Sequence, residues 1–534
     1  MESEFTKNGQ YARLSKKNDF LAKWGIKAFI PFKIRAFPYL CNMSMMKEDL
    51  FKNVTSHAKE YGFVFPSSEI YDGLSAVYDY GQLGVELKNN IKTYWWKSMV
   101  QMHENIVGLD AAIFMHPKTW KASGHVDGFN DPMIDNKDSN KRYRADNLIE
   151  DKITAYENEG DTTKASALQN AMDTALAADD LVALRQLIID HQIKCPISGT
   201  VNWTDVRQFN LMFSTQFGSI AEEADAVYLR PETAQGIFVN FLNVQKTGRM
   251  KIPFGIAQIG KAFRNEVIAR QFIMRMREFE QMEMQFFVRP GTEMQWYAYW
   301  KEARLKWHLA LGTSNLKYRY HDHAKLAHYA NAAVDIEFEF PFGFKEVEGI
   351  HSRTDFDLKQ HQEHSKKKLQ YFDNDLDEQG KPYGNYVPYV IETSIGVDRM
   401  FLLTMCNAYC EEDLSEADKV DSRVVLKLHP ALAPIKATVM PLTKKDGLPE
   451  KARVIMDAMK FDFNMQYDEK DSIGKRYRRQ DAIGTPFCIT IDYETLENDT
   501  VTIRHRDSMQ QERVAIQDLK SLIQNQVAWE NLLK

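Results

Sequence analysis

The sequence of 534 residues predicts an α+β domain built on a large antiparallel sheet, interrupted by a helical insertion and followed by a smaller α/β domain. Three observations carry this. Strand-like apolar segments dominate 201–290 and recur over 334–357, where VDIEFEFPFGFKEVEGI alternates apolar and acidic residues. Residues 136–195 are rich in Ala, Leu and Asp at helical spacing, with no aromatic residue between Tyr156 and Trp203. Strand and helix patterns then alternate from residue 435 to the C-terminus. The expected boundaries are an extension at 1–45, a first domain at 46–425 with the mostly helical insertion at 136–200, and a second domain at 426–534.

The elements follow in order. The first 45 residues are basic, with only short apolar runs around Ala28–Ile30 and Phe37–Cys41, and are expected to be a poorly ordered extension. None of these runs approaches the roughly 20 residues of a membrane span, and none resembles the apolar core of a signal peptide. Met43, Met45 and Met46 stand just before the globular pattern, so the extension could reflect the choice of start site. LFKNVTSHAKEYG predicts an amphipathic helix stopped at Gly62, followed by the apolar run FVFP. YDYGQLGVELKNNIKTYWWKSMV reads as a glycine turn into a helix that carries Trp95 and Trp96, and such a long apolar-faced helix could form a subunit contact. MQWYAYWKEARLKWHLALG predicts a helix ending at Gly312, and the charged, Pro-containing stretch 411–434 predicts the domain boundary. In the second domain, IKATVMPL, FCITIDYE and TVTIRHRD read as strands, and LPEKARVIMDAMK and the C-terminal segment as helices.

Composition excludes little beyond extremes. Hydrophobic residues make up 44% and charged residues 27%, as in ordinary globular proteins. A net charge of −6 gives no general attraction to nucleic acid, though it leaves room for a local basic surface. The five cysteines are scattered and odd in number, which argues for a reducing cytoplasm rather than a disulfide framework. Cys406 and Cys410, one helical turn apart in an apolar run, read as core residues.

Candidate chemistry concentrates in 228–287, where Arg230, Glu232, Arg264, Glu266, Arg277, Glu278, Glu280 and Glu283 stand in apolar, aromatic-rich sequence. Charges in such company are buried with partners or line a cavity, because an isolated buried charge is too costly. FGIAQIGKAFRNE and MREFEQMEMQFFV predict two antiparallel strands joined by an irregular, mobile loop at 267–275. That arrangement sets Arg264 and Glu266 at one end of a sheet, where guanidinium can hold phosphate oxygens and a carboxylate can take an amino group. An Arg–Glu pair that merely ties two strands fits the same residues. YVPYVIETSIGVDRMFLLTM adds a strand interrupted by Glu392, a turn at Gly396, and a helix opening with Asp398 and Arg399. Arg399 can neutralise a terminal phosphate; a simple Asp398–Arg399 pair at a helix start is the other reading. On a regular strand Glu280 and Glu283 fall on opposite faces, so one at most points into a cleft, and Glu283 is the expected one.

RPETAQG, FRNE with the following REFE, and GVDR closely resemble the motif set of class II aminoacyl-tRNA synthetases, in particular the dimeric glycyl-tRNA synthetase family. KTWKASGHVDGFNDP, KRYRAD and SIGKRYRRQDAIGTPFCITI match that family in order, so the resemblance runs from about Lys47 to the C-terminus. It implies an ATP- and Mg2+-dependent, AMP-forming ligase that activates glycine and transfers it to tRNA(Gly), as a cytoplasmic homodimer with no membrane attachment. A catalytically silent, RNA-binding accessory protein on the same fold is the alternative; retention of Arg264, Glu266 and Arg399 argues against it.

The resemblance also implies roles. Arg264 would hold the α-phosphate and the amino acid carboxylate, Glu266 the adenine amino group, and Arg399 the γ-phosphate. Asn265, Met274, Arg275, Met276, Arg277, Glu278, Phe279, Glu346, Val347, Gly396, Val397 and Asp398 would complete the nucleotide site, with Mg2+ at Glu346 and Glu392. Glycine would meet Arg144, Glu232, Phe279, Glu280, Gln281, Met282, Glu283, Glu392, Ser394 and Gly396. Such a set makes chemical sense, because glycine offers only an ammonium and a carboxylate. Selection must therefore come from acids around the ammonium and from crowding where a side chain would sit. Lys475, Arg476, Arg478 and Arg479 beside Tyr477, with Arg504 and Arg506 on a later strand, would face the anticodon; a solvated helix face is the simpler reading of that group. Some relatives carry paired cysteines near the RYRAD string and in a CPxCG-like segment. Here DPMIDNKDSNKRYRAD has none and KCPISG keeps only Cys195, so a four-ligand zinc site is not expected. Thr393 stands where the family more often has proline.

Overall fold

The computed structural model describes residues 47–217, 225–267, 271–323, 326, 327, 329–415 and 421–533. The expected extension at 1–45 lies outside the described residues. In chain order the elements that build and flank the site are α1 (Lys47–Glu60), α2 (Gln82–Trp96) and β1 (Ile106–Gly108). The insertion follows, with β2 (Asn130–Asn136), β3 (Lys141–Arg144), α3 (Ala145–Asn158), α4 (Thr162–Ala177), α5 (Leu181–Asp190) and β4 (Arg207–Asn210). The chain then forms α6 (Ala234–Val239), β5 (Phe254–Phe263), β6 (Glu278–Val288), α7 (Glu293–Leu309), β7 (Tyr318–Asp322), β8 (Ala332–Phe340), β9 (Gly343–Thr354), α8 (Phe356–Ser365), β10 (Tyr389–Gly396) and α9 (Val397–Ala408).

Seven strands make the central sheet in the order β7-β8-β9-β10-β6-β5-β1. All neighbours are antiparallel except β1, which runs parallel to β5. Helices α2, α7 and α9 cover one face, burying Tyr94, Trp95, Trp296, Trp300, Trp307 and Phe401 against Met282, Met284 and Phe286. Trp95 is thus a core residue, fully shielded within its own chain, and not a group α2 presents to a partner. The stretch VDIEFEFPFGFKEVEGI is two strands, because the chain reverses between Phe340 and Gly343.

Sequence patterning misses two features. RPETAQGIFVNF enters a short helix, α6, followed by another at Phe241–Thr247, within a region expected to be strands. The apolar residues Ala234, Ile237, Phe238 and Phe241 pack on the far part of the sheet beside Phe254 and Phe287, so their 3.6 spacing decides. Two antiparallel strands, β11 (Tyr409–Asp413) and β12 (Ser422–Leu426), pair where the charged stretch read as the domain boundary begins. The insertion adds a three-stranded sheet, β3-β2-β4, to its helices. A separate core containing Ile134, Leu148, Leu168, Ile188 and Trp203 holds it together. Around Cys195, Ser139 Oγ and Tyr143 Oη each lie 3.3 Å from the sulfur, while Asn136 Oδ1 accepts from Ser198 Oγ at 2.9 Å. Hydrogen bonds therefore close this corner.

The second domain contains β13 (Ala437–Pro441), α10 (Leu448–Met459), β14 (Met465–Tyr467), α11 (Ile473–Ile483), β15 (Phe487–Ile491), β16 (Thr500–His505), β17 (Gln511–Ala515) and α12 (Ile516–Val527). Its sheet order is β14-β13-β15-β16-β17, with the β13 pairs parallel and the remaining pairs antiparallel. A buried ion network joins the domains. Asp481 of α11 takes Arg423 of β12 at 2.9 Å and Arg504 of β16 at 2.8 Å.

Candidate active site

The exposed face of the central sheet, opposite α2, α7 and α9, carries the site. Register places it residue by residue. Gln285 lies opposite Glu392, and Glu392 opposite His351; one row over, Glu283 faces Ser394, which faces Gly349. Paired residues share a face and alternate residues oppose it, so Phe279, Gln281 and Glu283 enter the cleft while Glu280 and Met282 leave it. The cleft holds about 230 Å3 and is lined by these three with Glu232, Arg264, Glu266, Tyr329, Glu346, His351, Arg353, Glu392, Ser394, Asp398 and Arg399.

At its deep end three carboxylates meet around one guanidinium. Glu392 accepts from His351 Nδ1 at 2.8 Å, Gln285 Nε2 at 2.7 Å and Arg353 Nη1 at 3.1 Å. Glu283 accepts from the hydroxyl of Thr233 and from Gln285 Nε2, the latter at 2.9 Å. Glu232 takes Gln235 Nε2 at 2.9 Å and lies 3.5 Å from His125 Nε2. Arg353 is itself held by Asp357, at 2.9 and 3.0 Å. Burial favours the neutral form of all three glutamates, but the outcomes diverge. Arg353 and then His351 outweigh burial at Glu392 and hold its carboxyl well below the usual range. His125 and Arg353 do the same for Glu232. At Glu283, burial and the charges of Glu392 and Glu232 act together and push the carboxyl well above that range. Acids outnumber cations here, and Oε1 of Gln281 has no hydrogen-bond partner among the described residues. The arrangement can accept a small cation bearing several N–H donors.

Toward the mouth the charge reverses. Arg264 donates Nε to the Pro231 carbonyl at 3.0 Å, and its guanidinium lies over Phe129 and Phe279 at 5.6 and 5.2 Å. Among the described residues no carboxylate forms an ion pair with it. The reading of Arg264 and Glu266 as a strand-tying pair therefore does not hold; Glu266 instead lies 3.8 Å from Arg275. Arg399 reaches Glu346 Oε2 at 3.0 Å and the Glu346 carbonyl at 3.1 Å. The neighbouring Arg399 lowers the Glu346 carboxyl. A second cavity of about 400 Å3 adjoins this mouth, sharing Met274, Arg275, Glu346 and Arg399 and walled on its far side by Tyr143, Arg144 and Asn147 of the insertion. Asn265, Met276, Val347 and Val397 lie along the same strands and turns, with Met276, Val347 and Val397 buried in the core.

Several expected residues have other employment. Glu280 lies behind the sheet, 3.2 Å from both Lys88 and Lys92, and Met282 is fully buried in the core. Neither can touch a ligand in the cleft, because strand alternation turns them away. Glu278 pairs with Lys261 at 2.8 Å, and Arg277 donates to the carbonyls of Ser75 and Glu266. Asp398 is buried: it accepts from Tyr80, from Lys88 at 2.8 Å and from the Glu280 amide at 2.8 Å. No Asp398–Arg399 pair forms, so that alternative falls. Arg144 is held between Asp131 and Asp146 in the adjoining cavity, away from the three carboxylates. Arg230 is a structural pin on the carbonyls of Lys261 and Ala111. In the second domain Arg476 is 2% exposed and donates to the carbonyls of Pro441, Leu442 and Asp468. It is an internal brace and not a surface cation. Arg504 and Arg506 are also buried, while Arg478 and Arg479 are partly exposed and Lys475 is exposed.

Sequence reasoning passed over Thr233, Gln285, His351, Arg353 and Asp357. The signal for the last two was present: Arg353 and Asp357 stand four apart in IHSRTDFDL, where strand passes into helix.

Comparison with known proteins accords with this geometry. Residues 213–408 match the tRNA synthetase class II core domain (G, H, P, S and T), and 436–526 match an anticodon binding domain. Residues 131–166 and 159–211 match the glycyl-tRNA synthetase insertion domain 1, a span that begins at β2. The chain is 54% identical to a glycine–tRNA ligase of Chlorobaculum tepidum over 86% of its own length and 96% of the relative's. It is 51% identical to those of Macrococcus caseolyticus and Geobacillus thermodenitrificans, over 90% of its length in both cases and 100% and 98% of theirs. A class II core with this insertion, and relatives matched over nearly their whole length, place the chain in the glycine–tRNA ligase family of class II aminoacyl-tRNA synthetases.

Proposed function

We propose that the cleft joins glycine to ATP and passes the glycyl group to the 3′ end of tRNA(Gly). The observation that carries this is the acid cluster of Glu232, Glu283 and Glu392 at the closed end of a cleft whose mouth is lined by arginines. An ammonium group fits the first and phosphates fit the second. The glycine ammonium lies among the three acids and Gln281 Oε1, while its carboxylate points toward Arg264. Ser394 and Gly349, paired across β10 and β9, line the cleft beside this position, and crowding there would turn alanine away.

Arg264 bridges the glycine carboxylate and the α-phosphate, and Arg399 takes the γ-phosphate. Phe279 offers a ring face to the adenine, and Glu266 an acceptor to its amino group. A carboxylate oxygen of glycine attacks the α-phosphorus and pyrophosphate leaves; a ribose hydroxyl of the tRNA then attacks the acyl carbon and AMP leaves. Arg264 stabilises charge developing on the α-phosphate, and alignment supplies much of the rest. Of the two expected Mg2+ ligands, half-exposed Glu346 fits, with oxygens facing the cleft mouth; Glu392 already takes three donors and does not. Bound there with ATP, Mg2+ would neutralise phosphate charge.

In the second domain, exposed Lys475 with Arg478 and Arg479 provides the surface for anticodon phosphates. No helix among the described residues is long and apolar enough to cross a membrane. We place the protein in the cytoplasm as a homodimer, which sedimentation velocity would check. Glycine-dependent ATP–pyrophosphate exchange tests the function. Exchange with glycine and not with alanine is expected; absence of exchange with every amino acid would establish the silent alternative.

A further inference from the structure

We propose a second metal site, for a Zn2+-type transition ion, formed by His323, Asp335 and His351 beside the cleft and distinct from the position assigned to Mg2+. One ligand atom from each residue lies within 4.8 Å of the other two. His323 closes the end of β7, Asp335 is on β8 and His351 on β9, so adjacent strands of one sheet fix the set. His323 Nε2 stands 2.9 Å from Asp335 Oδ2. Opening this hydrogen-bonded pair to roughly 3.4 Å would seat both atoms as tetrahedral ligands at about 2.1 Å from an ion.

The arrangement around His351 points to a ligand independently of this proximity. Its Nδ1 is engaged by Glu392 at 2.8 Å, and Glu392 is itself held by Arg353 at 3.1 Å. With Nδ1 taken by Glu392, Nε2 is the ring nitrogen that faces the other two residues. A carboxylate on the remote nitrogen is the usual outer support of a metal-binding histidine. Nε2 is aimed at Asp335 across Gly349: a Cβ at that glycine would lie 3.3 Å from His351 Nε2 and 3.6 Å from Asp335 Oδ1. The missing side chain is what lets imidazole and carboxylate converge. The three side chains are 31%, 18% and 20% exposed, so one side stays open to solvent for further ligands.

Two imidazoles and one carboxylate suit zinc and its neighbours, whereas Mg2+ takes oxygen ligands. The ion would sit one imidazole away from Glu392, fixing that carboxylate's orientation. This linkage to glycine rests on the function proposed above; metal binding itself does not.

The test is titration of the chelator-treated full-length protein with Co2+, read by its visible d–d absorption, and with Zn2+ as competitor. One ion per chain is expected. His323→Ala and Asp335→Asn should each weaken binding by more than the roughly 10–100-fold cost of outer-support changes, while His321→Ala on the same strand leaves it unchanged. Thermal melting verifies folding, and Asp335→Asn, nearly isosteric, keeps the test decisive if His323→Ala does not fold. Unchanged binding in both variants, no saturable binding in the parent, or a thiolate–cobalt charge-transfer band would each overturn the proposal. The last would place the ion at a cysteine.

Discussion

At the scale of single residues, the divergence among three buried glutamates is the central fact. Glu283 is pushed up by burial and the charges of Glu392 and Glu232, while against burial Arg353 with His351 holds Glu392 down and His125 with Arg353 holds Glu232 down. A depressed carboxylate contributes stability that is present above its unfolded pKa and lost as pH falls through the folded value. Glu392 is of that kind. Glu283 has the opposite sign: its raised folded pKa costs stability as pH rises beyond the unfolded value. Glu283→Gln, which keeps an oxygen for Thr233 or Gln285 and removes a repulsion with Glu392 and Glu232, should therefore melt higher at neutral pH. The same substitution should raise KM for glycine. A glycine ammonium entering this cluster, faced by Glu232, Glu392, Arg353, Gln285 and Thr233, should recharge Glu283 and release a proton. Calorimetric titration with glycine in two buffers of different ionisation enthalpy should show that proton, and Glu283→Gln should abolish the difference. Arg264→Ala should eliminate glycine-dependent exchange while tRNA affinity, measured by filter binding, stays within about threefold, since the phosphate-binding surface proposed for tRNA is in the second domain.

At the scale of elements, strand alternation sorts the acids of β6. Glu283 enters the cleft, and Glu280 goes to Lys88 and Lys92 behind it. Glu280→Gln should thus lower the melting temperature while leaving KM for glycine near that of the parent; a large KM effect would contradict the register. Close approach matters in β5, where a Cβ on Gly260 would stand 2.2 Å from Arg230 Nη2. Arg230 is pinned to two carbonyls and cannot retreat. Gly260→Ala should cost about 1–3 kcal/mol, as overpacking does, measurable by urea unfolding. The motif strings of β5, β6 and β10 were readable in sequence, since charges in apolar strands stand out. The Arg353–Asp357 spacing was readable too, but the roles of Arg353 and His351 at the acid cluster were not, because they depend on which strand lies beside β9.

At the scale of the whole molecule, Asp481 couples the domains by holding Arg423 and Arg504. Asp481→Ala leaves buried Arg504 without its carboxylate and takes from Arg423 one of two, Glu412 remaining; removing one partner of a buried pair typically costs about 3–5 kcal/mol. Differential scanning calorimetry should show the single melting event splitting or falling in temperature. By contrast, Lys475→Glu should weaken tRNA binding and flatten its salt dependence with little change in stability.

Sequence alone carried the layout of sheet domain, helical insertion and α/β domain and marked Arg264, Glu266, Glu392 and Arg399 as candidates, because periodicity and misplaced charge are local properties of the chain. Tertiary structure alone decided that Arg476 is a brace rather than a tRNA contact, that Arg144 and Glu280 are committed elsewhere, and that Arg353 anchors the acid cluster. Burial and partner identity depend on which strands and domains lie side by side, and that is settled by register and packing across long separations in sequence.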